Sequence, residues 1–150
     1  MKILVIGSGG REHAVVKKIA ESPLTGSLYA LPGNAGMKEA RLIPGDVMDI
    51  PGVVKAAVER GIDFAVVTPD DPLAAGMVDA LEAAGIPCFG PDRKAAEIES
   101  SKVFAKNLMK KYQIPTARFE AFTALEAALD YVRTQPLPLV VKADGLAKGK

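Results

Sequence analysis

The chain opens by alternating two patterns of apolar spacing. Lys2-Ile-Leu-Val-Ile6 is a continuous apolar run rich in β-branched residues, the form of a strand covered on both faces. After Gly7-Ser-Gly-Gly10, the segment Arg11 to Glu21 has helical spacing, with Ala14, Val15, Ile19 and the stem of Lys18 expected inward. Ser27 to Leu31 predicts a second strand, stopped by Pro32-Gly33. Pro51 to Arg60 predicts a helix through Val53, Val54, Ala57 and Val58. Pro51 falls in its first turn, where a missing N–H does no harm, and Gly61 lies just past its end. Asp63 to Thr68 is a third strand, Leu73 to Ala84 a helix closed by Gly85, and Ile86 to Phe89 a short fourth strand. Strands alternating with helices in this way predict an α/β fold, a Rossmann-like, mostly parallel doubly wound sheet.

The rhythm changes after Phe89-Gly90-Pro91. Residues 92–112 are amphipathic and helical, broken near Ser100-Ser101, with Ser101 a good N-cap. Thr116 to Phe122 alternates roughly like a strand. Thr123-Ala-Leu-Glu126 has the form of a capping box opening a helix to about Arg133. Leu139-Val-Val-Lys-Ala143 predicts another strand, running into the Gly/Lys loop Asp144 to Lys150. That last strand and loop have no return strand. The expected organisation is a complete domain over residues 1–100 and the opening of an incomplete one over 101–150.

Composition narrows the possibilities. A chain of 150 residues, 49% of them apolar, buries roughly 70% of the surface its unfolded form exposes. It needs no disulfide or structural metal to fold. Nineteen Lys and Arg against eighteen Asp and Glu leave a net charge of +1. That balance argues against a basic nucleic-acid arm and an acidic disordered tail. The N-terminal apolar run, Ile3 to Ile6, is too short for a signal-peptide core or a membrane span. Cys88 is the one cysteine, and it reads as a small core hydrophobe in a reducing compartment. A cytoplasmic protein with no nucleic-acid or membrane partner is the expectation. No Cys/His cluster suggests a transition-metal site.

The candidate chemistry starts at the first glycine loop. A strand, a glycine turn and a helix start bring backbone N–H groups and the helix dipole onto an anion. Gly9 and Gly10 supply that turn here, and Arg11 adds a guanidinium suited to phosphate. The bland alternative is a tight turn that needs glycine for steric reasons alone. A dinucleotide fingerprint would need glycine where Glu12 stands, and an acidic residue after the second strand, where Leu31-Pro32-Gly33 runs instead. The 142–150 loop is no Walker A motif, since only three residues separate Gly145 from Gly149. Glu12 either binds a ribose or complements the helix dipole. Asn34, between Gly33 and Gly36, either bonds a substrate or tolerates a left-handed turn. Asp70 either meets sugar hydroxyls or makes an Asx turn before Pro72. His13, the one histidine, reads as structural rather than as a catalytic base. Lys142, on an apolar strand, favours an anion contact over an edge or snorkelling position. Lys102 alone reads as an exposed helix lysine. Lys148 and Lys150 are either phosphate contacts or solvated.

Five segments taken together resemble a known family. They are Gly7-Ser-Gly-Gly-Arg-Glu-His-Ala14, Pro32-Gly-Asn-Ala-Gly36, Thr68 to Gly76, Glu99-Ser-Ser-Lys102 and Val140-Val-Lys-Ala-Asp-Gly145. The sequence is similar over its whole length to the phosphoribosylamine–glycine ligases, members of the ATP-grasp ligases. The resemblance implies a pre-ATP-grasp domain followed by the start of an ATP-grasp domain. It also implies ATP-driven joining of glycine to 5-phosphoribosylamine, in purine biosynthesis. Carried onto this sequence, it makes Gly9, Gly10, Arg11, Glu12, Asn34 and Asp70 substrate-binding residues, and Lys102, Lys142 and Lys148 ATP-binding residues. The implied partners are phosphoribosylamine, glycine and ATP. Magnesium or manganese would be held by ligands outside this chain, and no catalytic residue lies within it. The family's third loop reads Gly-Pro-Glu, where this sequence has Thr68-Pro69-Asp70. Two rival readings remain: another ATP-grasp ligase or carboxylase, and a non-catalytic nucleotide-binding or interaction module.

Overall fold

β1 (Lys2–Gly7) lies at the centre of a five-stranded sheet, and its position follows from its composition. The computed structural model describes residues 1–146. The chain forms two compact units, Met1–Ala96 and Glu97–Lys150. In the first, β1 pairs in parallel with β2 (Ser27–Pro32) on one side and β4 (Phe64–Val67) on the other. β3 (Arg41–Leu42) and β5 (Cys88–Phe89) form the two edges, giving the order β3-β2-β1-β4-β5. Alternate residues of β1 serve opposite faces, as strand geometry requires. Leu4 and Ile6 join Val53, Ala57, Met77 and Leu81 on one face. Ile3 and Val5 join Val16, Leu28 and Met37 on the other.

The helices follow the predicted order with local differences. α1 (Gly10–Ala20) buries Val16 fully. Val15 and Ile19 are half-buried, while Ala14 and Lys18 face solvent, so the inward stripe is centred one residue away from the one expected. α2 (Ile50–Arg60) has Asp49 as its N-cap, accepting from the Gly52 N–H at 3.1 Å. It ends at Gly61 in the left-handed conformation, φ +60°. Its Val58 is exposed, not inward. The helix predicted over 73–84 starts earlier and is broken. α3 (Asp70–Ala75) ends at Gly76, at φ +94°, and α4 (Met77–Ala83) restarts there. Cys88 is half-buried and its thiol donates to the Ile86 carbonyl at 3.3 Å. Burial, with the nearby Glu82 charge adding to it, pushes that thiol up to about 11.

α5 (Arg93–Ser100) carries the chain out of the first unit. The second unit holds α6 (Lys102–Lys111) and α7 (Leu125–Thr134). Ser101 caps α6 as its sequence predicts, its hydroxyl accepting from the Phe104 N–H at 3.0 Å. The capping box at Thr123 does not form. α7 begins one residue later, with Ala124 at the N-cap position and no side-chain cap. The strands predicted over 116–122 and 139–143 do not form either. A strand is stable only when a neighbour takes its N–H and C=O groups, and among the described residues neither segment has such a neighbour. Residues 116–122 are instead tied by side chains. The Lys106 ammonium donates to Thr116 Oγ1 at 2.6 Å and to the Ala117 carbonyl at 3.2 Å, and lies 5.7 Å from the Phe119 ring centroid. The Phe122 ring packs 5.2 Å from that of Tyr131 in α7. Among the described residues, no helix is long and apolar enough to cross a membrane.

Candidate functional site

The parallel pairing of β2, β1 and β4 brings their C-terminal ends to one edge of the sheet. The loops that follow, residues 7–12, 32–36 and 68–71, therefore gather where ligands of open α/β sheets bind. Side chains then tie the three loops together. The Asn34 amide donates to the Ser8 carbonyl at 2.8 Å, and its oxygen accepts from the Gly36 N–H at 2.8 Å. That joins the second loop to the first and turns the second back on itself. The Glu12 carboxylate accepts from the Gly9 N–H at 2.7 Å and, through its other oxygen, from the Thr68 hydroxyl at 2.6 Å. That joins the first loop to the third.

Glu12 is the buried charged residue of the described chain, at 5% exposure. Buried carboxylates persist where hydrogen bonds replace water, and these two donors do so here. The loop's glycines make room for it. Gly7, at φ +126°, has no space for a Cβ, which would come 2.5 Å from Glu12 Cγ and 2.9 Å from Pro69 Cγ. A Cβ on Gly9 would lie 2.7 Å from a Glu12 carboxylate oxygen, whereas one on Gly10 would meet nothing within 4 Å. The same holds in the second loop, where a Cβ on Gly36 would stand 2.8 Å from His13 Cε1. His13 thus lies close against the second loop at Gly36.

The remaining candidates face outward. Arg11 is exposed in the first turn of α1 and makes no hydrogen bond or ion pair with other described residues. The first-turn N–H groups beside it lack intrahelical acceptors. Asp70 is half-buried in the first turn of α3. A cation, helix-start amides, an amide side chain and a carboxylate on one rim suit a small ligand carrying both an anionic group and hydroxyls.

In the second unit the start of α6 meets the loop after residue 143. Asp144 accepts from the Ser101 hydroxyl at 3.1 Å and from the Val103 N–H at 3.2 Å. The Lys102 ammonium donates to the Gly145 carbonyl at 2.6 Å. The Val103 N–H first, with Ser101 and further backbone donors, holds the Asp144 carboxyl below its ordinary value of 3.8. Asp144 was not among the candidates drawn from the sequence. The Gly-adjacent Asp in a basic loop was the available signal, and its partner 43 residues upstream was the missing one. Lys142 departs from expectation: it is exposed in an unpaired segment rather than inward on a strand. With no sheet to face, nothing buries it. Lys148 lies outside the described residues.

Two family models divide the chain between them. Residues 1–99 match "Phosphoribosylglycinamide synthetase, N domain", and residues 100–150 match "Phosphoribosylglycinamide synthetase, ATP-grasp (A) domain". The chain belongs to the phosphoribosylglycinamide synthetase family. Its curated relatives include phosphoribosylamine–glycine ligases from Agrobacterium fabrum, 55% identical, Salmonella typhimurium, 47% identical, and Vibrio cholerae, 46% identical. Each is matched over 100% of this chain, which spans only 36% of each relative's length. Among solved structures, N5-carboxyaminoimidazole ribonucleotide synthetase from Thermus thermophilus superposes with a TM-score of 0.67 over 91% of this chain and 37% of that one, at 20% identity. The biotin carboxylase domain of a single-chain bacterial carboxylase gives 0.68 over 89% and 34%, at 17% identity. These two likenesses show the fold alone.

The second of the two family models is that of an ATP-grasp domain, matched over residues 100–150. The metal is a separate matter. Among the described residues no three His, Cys, Asp or Glu side chains gather into a group able to hold one.

Proposed function

We propose that this chain supplies the phosphoribosylamine-binding part and the opening of the ATP-binding part of a phosphoribosylamine–glycine ligase. In that reaction ATP supplies the phosphoryl group that activates the glycine carboxylate for attack by the amine. Such chemistry demands that the amine be held close to the acyl carbon and that water be kept away. The observation that carries the reading is the knitted rim of the first unit, where Asn34 and Glu12 tie the first loop to the other two and Arg11 stands exposed on that first loop with no bond to other described residues. Arg11 and the Gly9–Gly10 turn take the 5-phosphate, Asn34 approaches the sugar between its glycines, and Asp70 accepts from hydroxyls. Glu12 serves this ligand from beneath the loop. Lys102, with Lys142 and Lys148, takes the triphosphate. The reading carries with it a cytoplasmic location, and magnesium or manganese held by other residues of the complete enzyme.

Arg11→Ala tests it. Losing one charge-assisted phosphate contact costs about 1.5–3 kcal/mol. Calorimetry should therefore show ribose 5-phosphate binding weakened at least about tenfold, with ATP binding unchanged. The opposite pattern, ATP weakened and the sugar phosphate untouched, overturns the assignment of both ligands.

A further inference from the structure

We propose that Glu12 is a positioning residue, and Thr68 its partner, which together hold the phosphate end and the hydroxyl end of the rim at a fixed separation. The proposal rests on the sugar-phosphate reading above. Glu12 lies in the first turn of α1, next to Arg11. Thr68 leaves β4, two residues before Asp70 opens α3. The 2.6 Å bond between them is the side-chain tie from the helix that would bind phosphate to the loop that would bind the sugar. The same carboxylate fixes the Gly9 N–H at 2.7 Å, so the glycine turn cannot move without moving Glu12. Sterically the tie is enclosed, since Glu12 is 5% exposed and a Cβ on Gly7 or Gly9 would intrude on its side chain. An enclosed carboxylate with two short bonds to two different loops holds a distance. It offers little to a ligand, because it lies buried beneath the loop.

A part that fixes a separation matters to a ligand spanning both ends and not to one occupying a single end. This sets the positioning role apart from a general contribution to stability. Nuclear magnetic resonance titrations of the chain with ribose 5-phosphate and with inorganic phosphate make the comparison. Thr68→Val removes the hydroxyl while keeping the shape, and Thr68→Ser restores the hydroxyl. Ribose 5-phosphate should bind about tenfold more weakly to Thr68→Val. Inorganic phosphate should bind within about twofold of the parent, and Thr68→Ser should return ribose 5-phosphate to within about twofold. Unchanged ribose 5-phosphate binding in Thr68→Val, or equal loss of both ligands, overturns the proposal. Should the parent chain bind neither ligand, or Arg11→Ala change neither, the sugar-phosphate reading fails. The tie is then judged by the Gly9 amide. Its resonance shifting in Thr68→Val and returning in Thr68→Ser supports the tie, and its staying fixed removes it.

Discussion

The two units use similar proportions of apolar residues to opposite ends. The first buries nearly every large aliphatic residue of β1, β2 and β4. The second, over its described residues, buries none, and Leu137, Val140 and Val141 stand 82%, 79% and 86% exposed. Intrinsic preference does not explain the difference, because Leu139-Val-Val141 is as β-prone as Leu4-Val-Ile6. What differs is neighbours. β1 has a strand on each side and helices over both faces, while residues 139–143 have no strand beside them among the described residues. A strand is thus a property of a pairing, and apolar sequence only makes a segment eligible for one.

Amide hydrogen exchange offers the sharpest way to break this comparison. Amides of β1 and β4 should be protected at least about a thousandfold more than those of residues 116–122 and 137–143. Equal protection in the two units would erase the contrast. Substitution should give the next largest effect. Leu4→Ala leaves a cavity at the sheet centre and should cost about 2–5 kcal/mol in urea unfolding. Leu137→Ala removes an exposed side chain and should stay within about 0.5 kcal/mol. A large loss from Leu137→Ala would mean that its surface is covered in solution.

Acid should give the smallest effect, read at Asp144 in the second unit. Hydrogen bonds to its ionised form hold the Asp144 carboxyl below 3.8. Its contact with the start of α6 therefore contributes above that ordinary value and is lost as pH falls through the lower folded value. The Val103 amide resonance should stay put from pH 7 down to about 4 and move only below that. Movement already near pH 5 would show that the carboxylate is not held there.

Most of the first unit was legible because its signals are local. Continuous apolar runs marked β1, β2 and β4, and Pro51 and Gly61 marked both ends of α2. β3 escaped because two residues show no periodicity. The break at Gly76 escaped because an isolated glycine in a helical pattern is compatible with either outcome. The candidate site was legible as a set of loops but not as a set of roles. The nearby Gly9 N–H donates to one oxygen of Glu12, but nothing close in sequence shows where the other oxygen turns. That depends on a hydroxyl 56 positions away, brought near only because β4 pairs with β1. Asp144 and Ser101 pose the same difficulty across 43 positions.

The place of β1 at the middle of the sheet also bears on how the protein comes into being. β1 precedes β4 in the chain, so during synthesis it acquires its second neighbour only after Phe64–Val67 has followed it. Until then Glu12 lacks Thr68 and stays hydrated, because enclosing a carboxylate with one donor missing is unfavourable. The rim therefore closes late, when the centre of the sheet is complete. A nascent chain halted near residue 60 would already carry Arg11 and Asn34 without the frame that spaces them.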